Sequence, residues 1–260
     1  MNSETKRFGG RVVVITGAAS GIGRRAAERF AAEGALVYGS DVNVAGLAET
    51  EKLIAEAGGS FVGRAPVDAT DEVQTAAWLD AIGSEHGRID VLLPSAGIAR
   101  FSPIEETSLA EWKFVLTHEL DIVFVPTKAA WPWLRAASGN IVLLGSSAGV
   151  RGSVTNTRIA HTATKAGVIG MAQQFAAEGA AHGIRANSVS PGVIRTPATE
   201  GDLLAADHPM RNIAEHIPLK RVGTIDDVVS AILFFASDEA GYITGTNLMV
   251  DGGWSSVLPG

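Results

Sequence analysis

Apolar residues gather along this chain in short, nearly continuous runs: Val12 to Thr16, Ala35 to Ser40, Ser60 to Val67, Val91 to Leu93, Asn140 to Leu144, Arg185 to Val189 and Asn247 to Val250. The segments between them are of helix length. Continuous hydrophobicity marks strands covered on both faces, and strands that alternate with helices imply parallel pairing through crossovers. The pattern predicts an α/β protein: a doubly wound Rossmann sheet of about seven parallel strands with helices on both faces, its ligands bound beyond the carboxyl ends of the strands.

Composition narrows the setting. The 260 residues, 46% of them hydrophobic, suffice for a large core, and no repeat, low-complexity stretch or linker divides them, so residues 1–260 are expected to form a single domain. There are no cysteines, which excludes a disulfide framework and a thiolate metal site. A net charge of −7 argues against nucleic acid as a partner. No stretch approaches the ~20 uncharged apolar residues that span a bilayer. The polar start, with no signal-peptide run after it, makes a cytoplasmic location the expectation.

The first run leads straight into Thr16-Gly17-Ala18-Ala19-Ser20-Gly21-Ile22-Gly23. A glycine-rich turn between a strand and a helix lets backbone approach a pyrophosphate closely, and the helix N-terminus offers unpaired N–H groups at the positive end of its dipole. Glycine also suits a tight turn on steric grounds alone, so the motif needs support from elsewhere. Asp41 supplies it. It follows the second strand, roughly 20 residues on, where a carboxylate can accept from the hydroxyls of an adenosine ribose.

The spacing G-x-x-x-G-x-G after Thr16 resembles the glycine motif of the classical short-chain dehydrogenases/reductases, and the resemblance extends over residues 8–254. Val67-Asp68 matches the family's adenine-contacting position, and Ser95-Ala96-Gly97 the second half of its Asn-Asn-Ala-Gly turn. Pro191-Gly192-Val193-Ile194-Arg195-Thr196 matches the loop that holds the nicotinamide carboxamide, and Tyr242 to Gly253 the C-terminal signature. The resemblance implies cofactor contacts at Thr16, Gly17, Ser20, Gly21, Ile22, Gly23, Asp41, Asp68, Ser95, Ala96, Gly97, Lys165, Pro191, Gly192, Ile194 and Thr196. The expected cofactor is NAD. Asp41 would repel a 2′-phosphate, and Ser20 stands where NADP-preferring relatives often carry a basic residue. The resemblance further implies a substrate lid at about residues 197–220, with Arg195, Met210 and Ile213 as candidates to face the substrate. It also implies a homotetramer, a homodimer being the other option, with the alanines at 176, 177, 180 and 181 suited to close helix packing.

The family's catalytic set is Asn, Ser, Tyr and Lys, and here it is altered. Ser146 matches the Ser, with Ser147 the runner-up, and Lys165 matches the Lys. The Tyr position, four residues before Lys165, holds His161; the only tyrosines are Tyr38 and Tyr242. Positions i and i+4 share a helix face, so His161 and Lys165 can enter one site. A neutral imidazole near a Lys ammonium accepts an alcohol proton, which makes His161 a candidate general base; the alternative is a spectator. Glu119 stands at the Asn position. It is open to a backbone role, to pairing with Lys165, to orienting His161, or to a purely structural place. Pro94-Ser95 replaces the family's Asn-Asn pair, removing two amides that buttress the cofactor loop.

These residues point to an NAD-dependent oxidoreductase that interconverts a secondary, including cyclic, alcohol and a ketone, acting on a small-molecule substrate without metal or membrane. The alternative is a non-redox lyase or isomerase, or an NAD-binding regulator, on the same scaffold. His182, His208 and His216 lack metal-ligand spacing, and the tryptophans at 78, 112, 131 and 133 are read as packing or interface residues.

Overall fold

The first strand, β1 (Val12–Thr16), shows why the apolar runs are unbroken. Val13 and Ile15 enter one core cluster while Val12 and Val14 enter another, so each face of the strand has its own cover. The computed structural model describes residues 6–201, 204–206 and 208–257. Six further strands follow: β2 (Leu36–Ser40), β3 (Ser60–Arg64), β4 (Val91–Pro94), β5 (Asn140–Leu144), β6 (Arg185–Pro191) and β7 (Asn247–Val250). All pair in parallel, in the order β3-β2-β1-β4-β5-β6-β7. The strand order reverses between β1 and β4, and a crevice opens there at the carboxyl ends.

Helices α1 (Gly21–Ala32), α2 (Val44–Glu56) and α8 (Ile225–Ala236) bury their apolar stripes on one face through Phe30, Ile54 and Ile232. On the other face α3 (Glu72–His86), α5 (Ile122–Ala137) and α6 (Ile159–Gly179) do so through Leu79, Leu134 and Val168. Helix α4 (Leu109–Leu116) runs into α5 through a π-helical turn, Thr117–Asp121, and the buried Glu119 sits in that turn. Such wide turns re-aim a side chain without ending the helix. The four-residue α7 (Pro197–Glu200) follows β6.

The strands match their sequence expectation closely, with one instructive difference. β3 stops at Arg64 rather than Val67, because Ser40, its last partner on β2, ends there and the next residues turn inward. Pro66 has no N–H to offer a ladder, and the N–H of the buried Val67 donates to the Asp41 carbonyl instead.

The lid region corrects two expectations. Met210 and Ile213 do not face a substrate. With Val193 and Ile217 they form a small core of their own, against Leu204, Val222 and Trp254, since an apolar segment lying off the sheet needs its own cover. Arg195 forms an exposed pair with Glu200 at 3.0 Å. Residues 202, 203 and 207 of the expected lid lie outside the described residues.

The α3–α5 contact depends on Gly83, where a Cβ would overlap the indole of Trp133. In an open helix interior Gly→Ala gains about 1 kcal/mol of propensity, whereas overpacking costs about 1–3 kcal/mol. Gly83→Ala is therefore expected to lower the urea midpoint; a rise would show that the two helices separate freely.

Candidate active site

Three glycines shape the turn after β1, each for its own reason. Gly17 has φ +70°, and a Cβ there would lie 2.7 Å from the backbone of Ala96 on the β4 side. Gly21 has φ +56° with open space around it, and Gly23 packs its Cα against the Gly17 carbonyl. Helix α1 then begins with Ser20 in an extended conformation, with no side-chain cap and no acidic residue in its first turn. Its first N–H groups are thus unclaimed at the edge of a cavity of about 510 Å³, within the range of ligand pockets.

Gly17, Ser20, Gly21, Ile22 and Gly23 line this cavity on the β1 side, and Ser95, Ala96 and Gly97 on the β4 side. Asp41 lines it from β2, its carboxylate accepting from Ala19 N at 3.0 Å and Asn43 N at 2.9 Å. Asp68 lines it from beyond β3, with Oδ1 held by the Thr70 N–H at 2.9 Å and hydroxyl at 2.7 Å. Thr196, Pro197 and Ala198 close the far side. An uncapped helix start, two anchored carboxylates and a glycine-rich turn fit the pyrophosphate, ribose and adenine of a dinucleotide.

Besides Lys165, four residues expected at the cofactor do not line the cavity. Thr16 is buried, and its hydroxyl accepts from Ala96 N at 3.2 Å, tying the two loops together. Pro191 belongs to β6, paired with Val250. Gly192 gives way to Asp251, whose Cβ would be 2.7 Å from an added one. Ile194 packs into the core and bridges to Gly223. Together the last three are the framework that carries Thr196 to the cavity wall.

A second centre lies beside it, on the first two turns of α6. His161 and Glu119 are both buried, and His161 Nδ1 lies 2.7 and 2.9 Å from the two Glu119 oxygens. The Thr164 hydroxyl, also buried, donates to the same carboxylate at 2.5 Å. A carboxylate only accepts, so Nδ1 carries the proton and Nε2 the lone pair. Nε2 has no hydrogen-bond partner among the described residues and is not sealed from solvent. Burial lowers the His161 pKa below 6.5; the cations of Lys165 and Arg158 act in the same direction, and Glu119 opposes them. Of the roles open to Glu119, the structure shows its carboxylate turned onto His161.

Lys165 Nζ donates to the carbonyl of Leu144, which lines the cofactor cavity, at 3.0 Å, and burial lowers its pKa from 10.5. Lys165 itself does not line that cavity in this structure. The Ser146 hydroxyl accepts from Ala148 N at 3.1 Å and keeps its proton to donate; Ser146 is half-buried, whereas Ser147 is buried. Gly149 lets the serine turn approach α6, since a Cβ there would stand 2.6 Å from the backbone of Lys165. Phe101 sets its ring edge-on to His161 at 5.1 Å.

A family profile described as Enoyl-(Acyl carrier protein) reductase matches residues 17–255. The chain is 38% identical to the 3-oxoacyl-[acyl-carrier-protein] reductase FabG of Thermotoga maritima, over 95% of this chain and 98% of that one. It is 36% identical to the D-threitol dehydrogenase of Mycolicibacterium smegmatis, over 96% and 94%. A solved short-chain type dehydrogenase/reductase from Mycobacterium marinum is 30% identical over 98% of this chain and 99% of its own, with a TM-score of 0.90. The protein belongs to the short-chain dehydrogenase/reductase family.

Among the described residues there is no cluster of His, Asp or Glu suited to a metal ion and no helix long and apolar enough to cross a membrane. Two members of this dehydrogenase/reductase's inner site escaped sequence reasoning. Thr164 was detectable in principle, three residues after His161 on one helix face. Phe101 carried no signal, because its loop reaches His161 only through the fold. Nitrogen-15 NMR of labelled histidine is expected to show His161 as the neutral Nδ1–H tautomer at about pH 7, protonating only below 6.5. An imidazolium at neutral pH would contradict this electrostatic picture.

Proposed function

We propose that this protein is an NAD-dependent oxidoreductase that interconverts a secondary, including cyclic, alcohol and the corresponding ketone, with His161 exchanging the proton. The observation that carries the reading is the buried Glu119–His161 pair, which leaves Nε2 as a free base where the family resemblance implies a tyrosine. The two named relatives, a 3-oxoacyl reductase and a threitol dehydrogenase, both interconvert carbinols and carbonyls, which supports the reaction class.

A nicotinamide held along the large cavity would supply the hydride acceptor for the carbinol carbon. His161 Nε2 takes the hydroxyl proton as the carbonyl forms, and the Glu119 carboxylate, 2.7 Å from Nδ1, stabilises the resulting imidazolium. Thr164 holds the carboxylate in place. The Ser146 hydroxyl donates to the substrate oxygen, and Lys165 serves the nicotinamide ribose. Asp41 and the uncharged Ser20 favour NAD, since a 2′-phosphate would meet a fixed carboxylate. The assembly we propose is a homotetramer; Ala177, Ala180 and Ala181 are exposed for close helix packing, while Ala176 is buried in the core.

The same pair would also provide acid and base for a non-redox lyase or isomerase, so turnover itself is the test. With NAD and a panel of secondary alcohols, reduced nicotinamide should form, and His161→Ala should lower kcat about 10²–10⁴-fold with little change in NAD affinity. Cofactor binding without turnover on any alcohol would favour the non-redox reading. Because the base must be unprotonated and its pKa lies below 6.5, kcat/KM for oxidation should be flat above that value and fall on the acid side. Glu119→Gln removes a group that raises the His161 pKa, so this limb should move to lower pH while kcat falls; a limb near ~10, in the phenol range, would exclude His161 as the base. Asp41→Ala should shift the NAD/NADP preference toward NADP by about tenfold or more.

A further inference from the structure

Three loops meet beside the catalytic centre and enclose a second cavity, of about 320 Å³. Phe101 and Ser102 line it from the loop after β4, Thr155 and Thr157 from the loop before α6, and His208 from the segment after α7. Among the described residues its lining holds no Asp, Glu, Lys or Arg. Phe101 is the residue that this cavity shares with the catalytic centre: its ring stands 5.1 Å, centre to centre, from the imidazole of His161. A single ring therefore separates the cavity from the group that exchanges the proton.

The chain has already set the hydrogen-bonding character of the lining. The Ser102 hydroxyl donates to Glu111 at 2.8 Å and the Thr155 hydroxyl to the Met210 sulfur at 3.3 Å, so both keep lone pairs with which to accept. His208 Nδ1 accepts from the Met210 N–H at 3.0 Å, so Nε2 carries the hydrogen and donates; it has no partner among the described residues and is not sealed from solvent. Thr157 is exposed, and its hydroxyl can turn either way. Met210 is buried in the satellite core, and its two contacts tie the lid to the loop before α6 without any ligand. Acceptors and a donor held around one cavity suit a group that does both. A carboxylate would set its lone pairs against those of Ser102 and Thr155, and an ammonium would meet the N–H of His208, whereas hydroxyls satisfy all three.

We propose that the substrate is a neutral polyol: one carbinol sits at His161 Nε2, and the hydroxyls beyond it enter the cavity lined by Ser102, Thr155, Thr157 and His208. The carbinol gives its hydride to NAD and its hydroxyl proton to His161, and becomes the carbonyl of a hydroxyketone. The carbon chain runs along Phe101, whose ring offers C–H groups an apolar surface. This deepens the oxidoreductase reading and rests on it for the reaction, but not for the hydroxyl site itself.

The test uses the full chain with two readouts. In turnover with NAD, four- to six-carbon polyols, xylitol and sorbitol among them, are compared with 2-butanol and cyclohexanol; the best polyol should be favoured by about 10²-fold or more in kcat/KM. His208→Phe should cut the polyol-to-2-butanol ratio about tenfold, chiefly through KM, and His208→Gln, which keeps a donor, should restore part of it. In calorimetric titration with NADH present, which cannot take a hydride, the same polyol should bind the wild type, and His208→Phe and the exposed Thr157→Val should each weaken it severalfold. Simple alcohols used as well as every polyol by the wild type would overturn the proposal without recourse to any variant. So would gluconate used better than sorbitol, which would remove the neutral assignment. If no alcohol is oxidised yet polyol binding depends on His208 and Thr157, the redox reading fails and the hydroxyl site stands. If simple alcohols turn over through His161 and no polyol binds, the hydroxyl site fails and the redox reading stands.

Discussion

The carboxylate of Glu119 is buried in the middle of this protein, and much of the surrounding architecture is arranged to keep it there. A lone carboxylate at 3% exposure would be driven to take up a proton or to unfold its surroundings. Here it accepts from His161 Nδ1 and from the Thr164 hydroxyl, and it lies within electrostatic range of Lys165. All three partners come from the first two turns of α6, while Glu119 comes from the π-helical turn between α4 and α5. The pair therefore joins two helices on the same face of the sheet, and it fixes which imidazole nitrogen is free. Structure and chemistry share one interaction. A change at Glu119 acts on both, which is why pH dependence separates its roles better than activity alone.

The two long helices that begin at loops without a side-chain cap are α1 and α6. The first opens onto the large cavity at the point where the sheet reverses direction, and its free N–H groups suit a pyrophosphate. The second opens beside His161, where Arg158 and Asn156 add further unmatched donors. The other long helices that start from loops are capped by their own side chains, so the open ends coincide with the large cavity and with the neighbourhood of His161.

Most of the fold was legible in the sequence, because a two-sided parallel sheet writes itself as uninterrupted apolar runs and the glycine turn has a steric cause that spacing reveals. The end of β3 was not legible, since it is set by where β2 stops rather than by the residues of β3. In the lid, hydrophobicity at Met210 and Ile213 was read as contact with substrate, whereas a satellite core consumes it. At the site, identities were legible and orientations were not. Glu119 had four open roles until the π turn aimed it.

On the proposed reading, exchanging a phenol for an imidazole changes what the neighbouring groups must do. A tyrosine, with a pKa near ~10, needs a nearby cation to make its anion accessible. A histidine is already neutral and basic above its pKa, and burial with the cations of Lys165 and Arg158 lowers that value further. What the imidazole needs is help after it has accepted a proton, and Glu119 provides it. The consequence is directional. At neutral pH the base form dominates and oxidation of the alcohol starts from the populated state, whereas reduction needs the scarce imidazolium as acid.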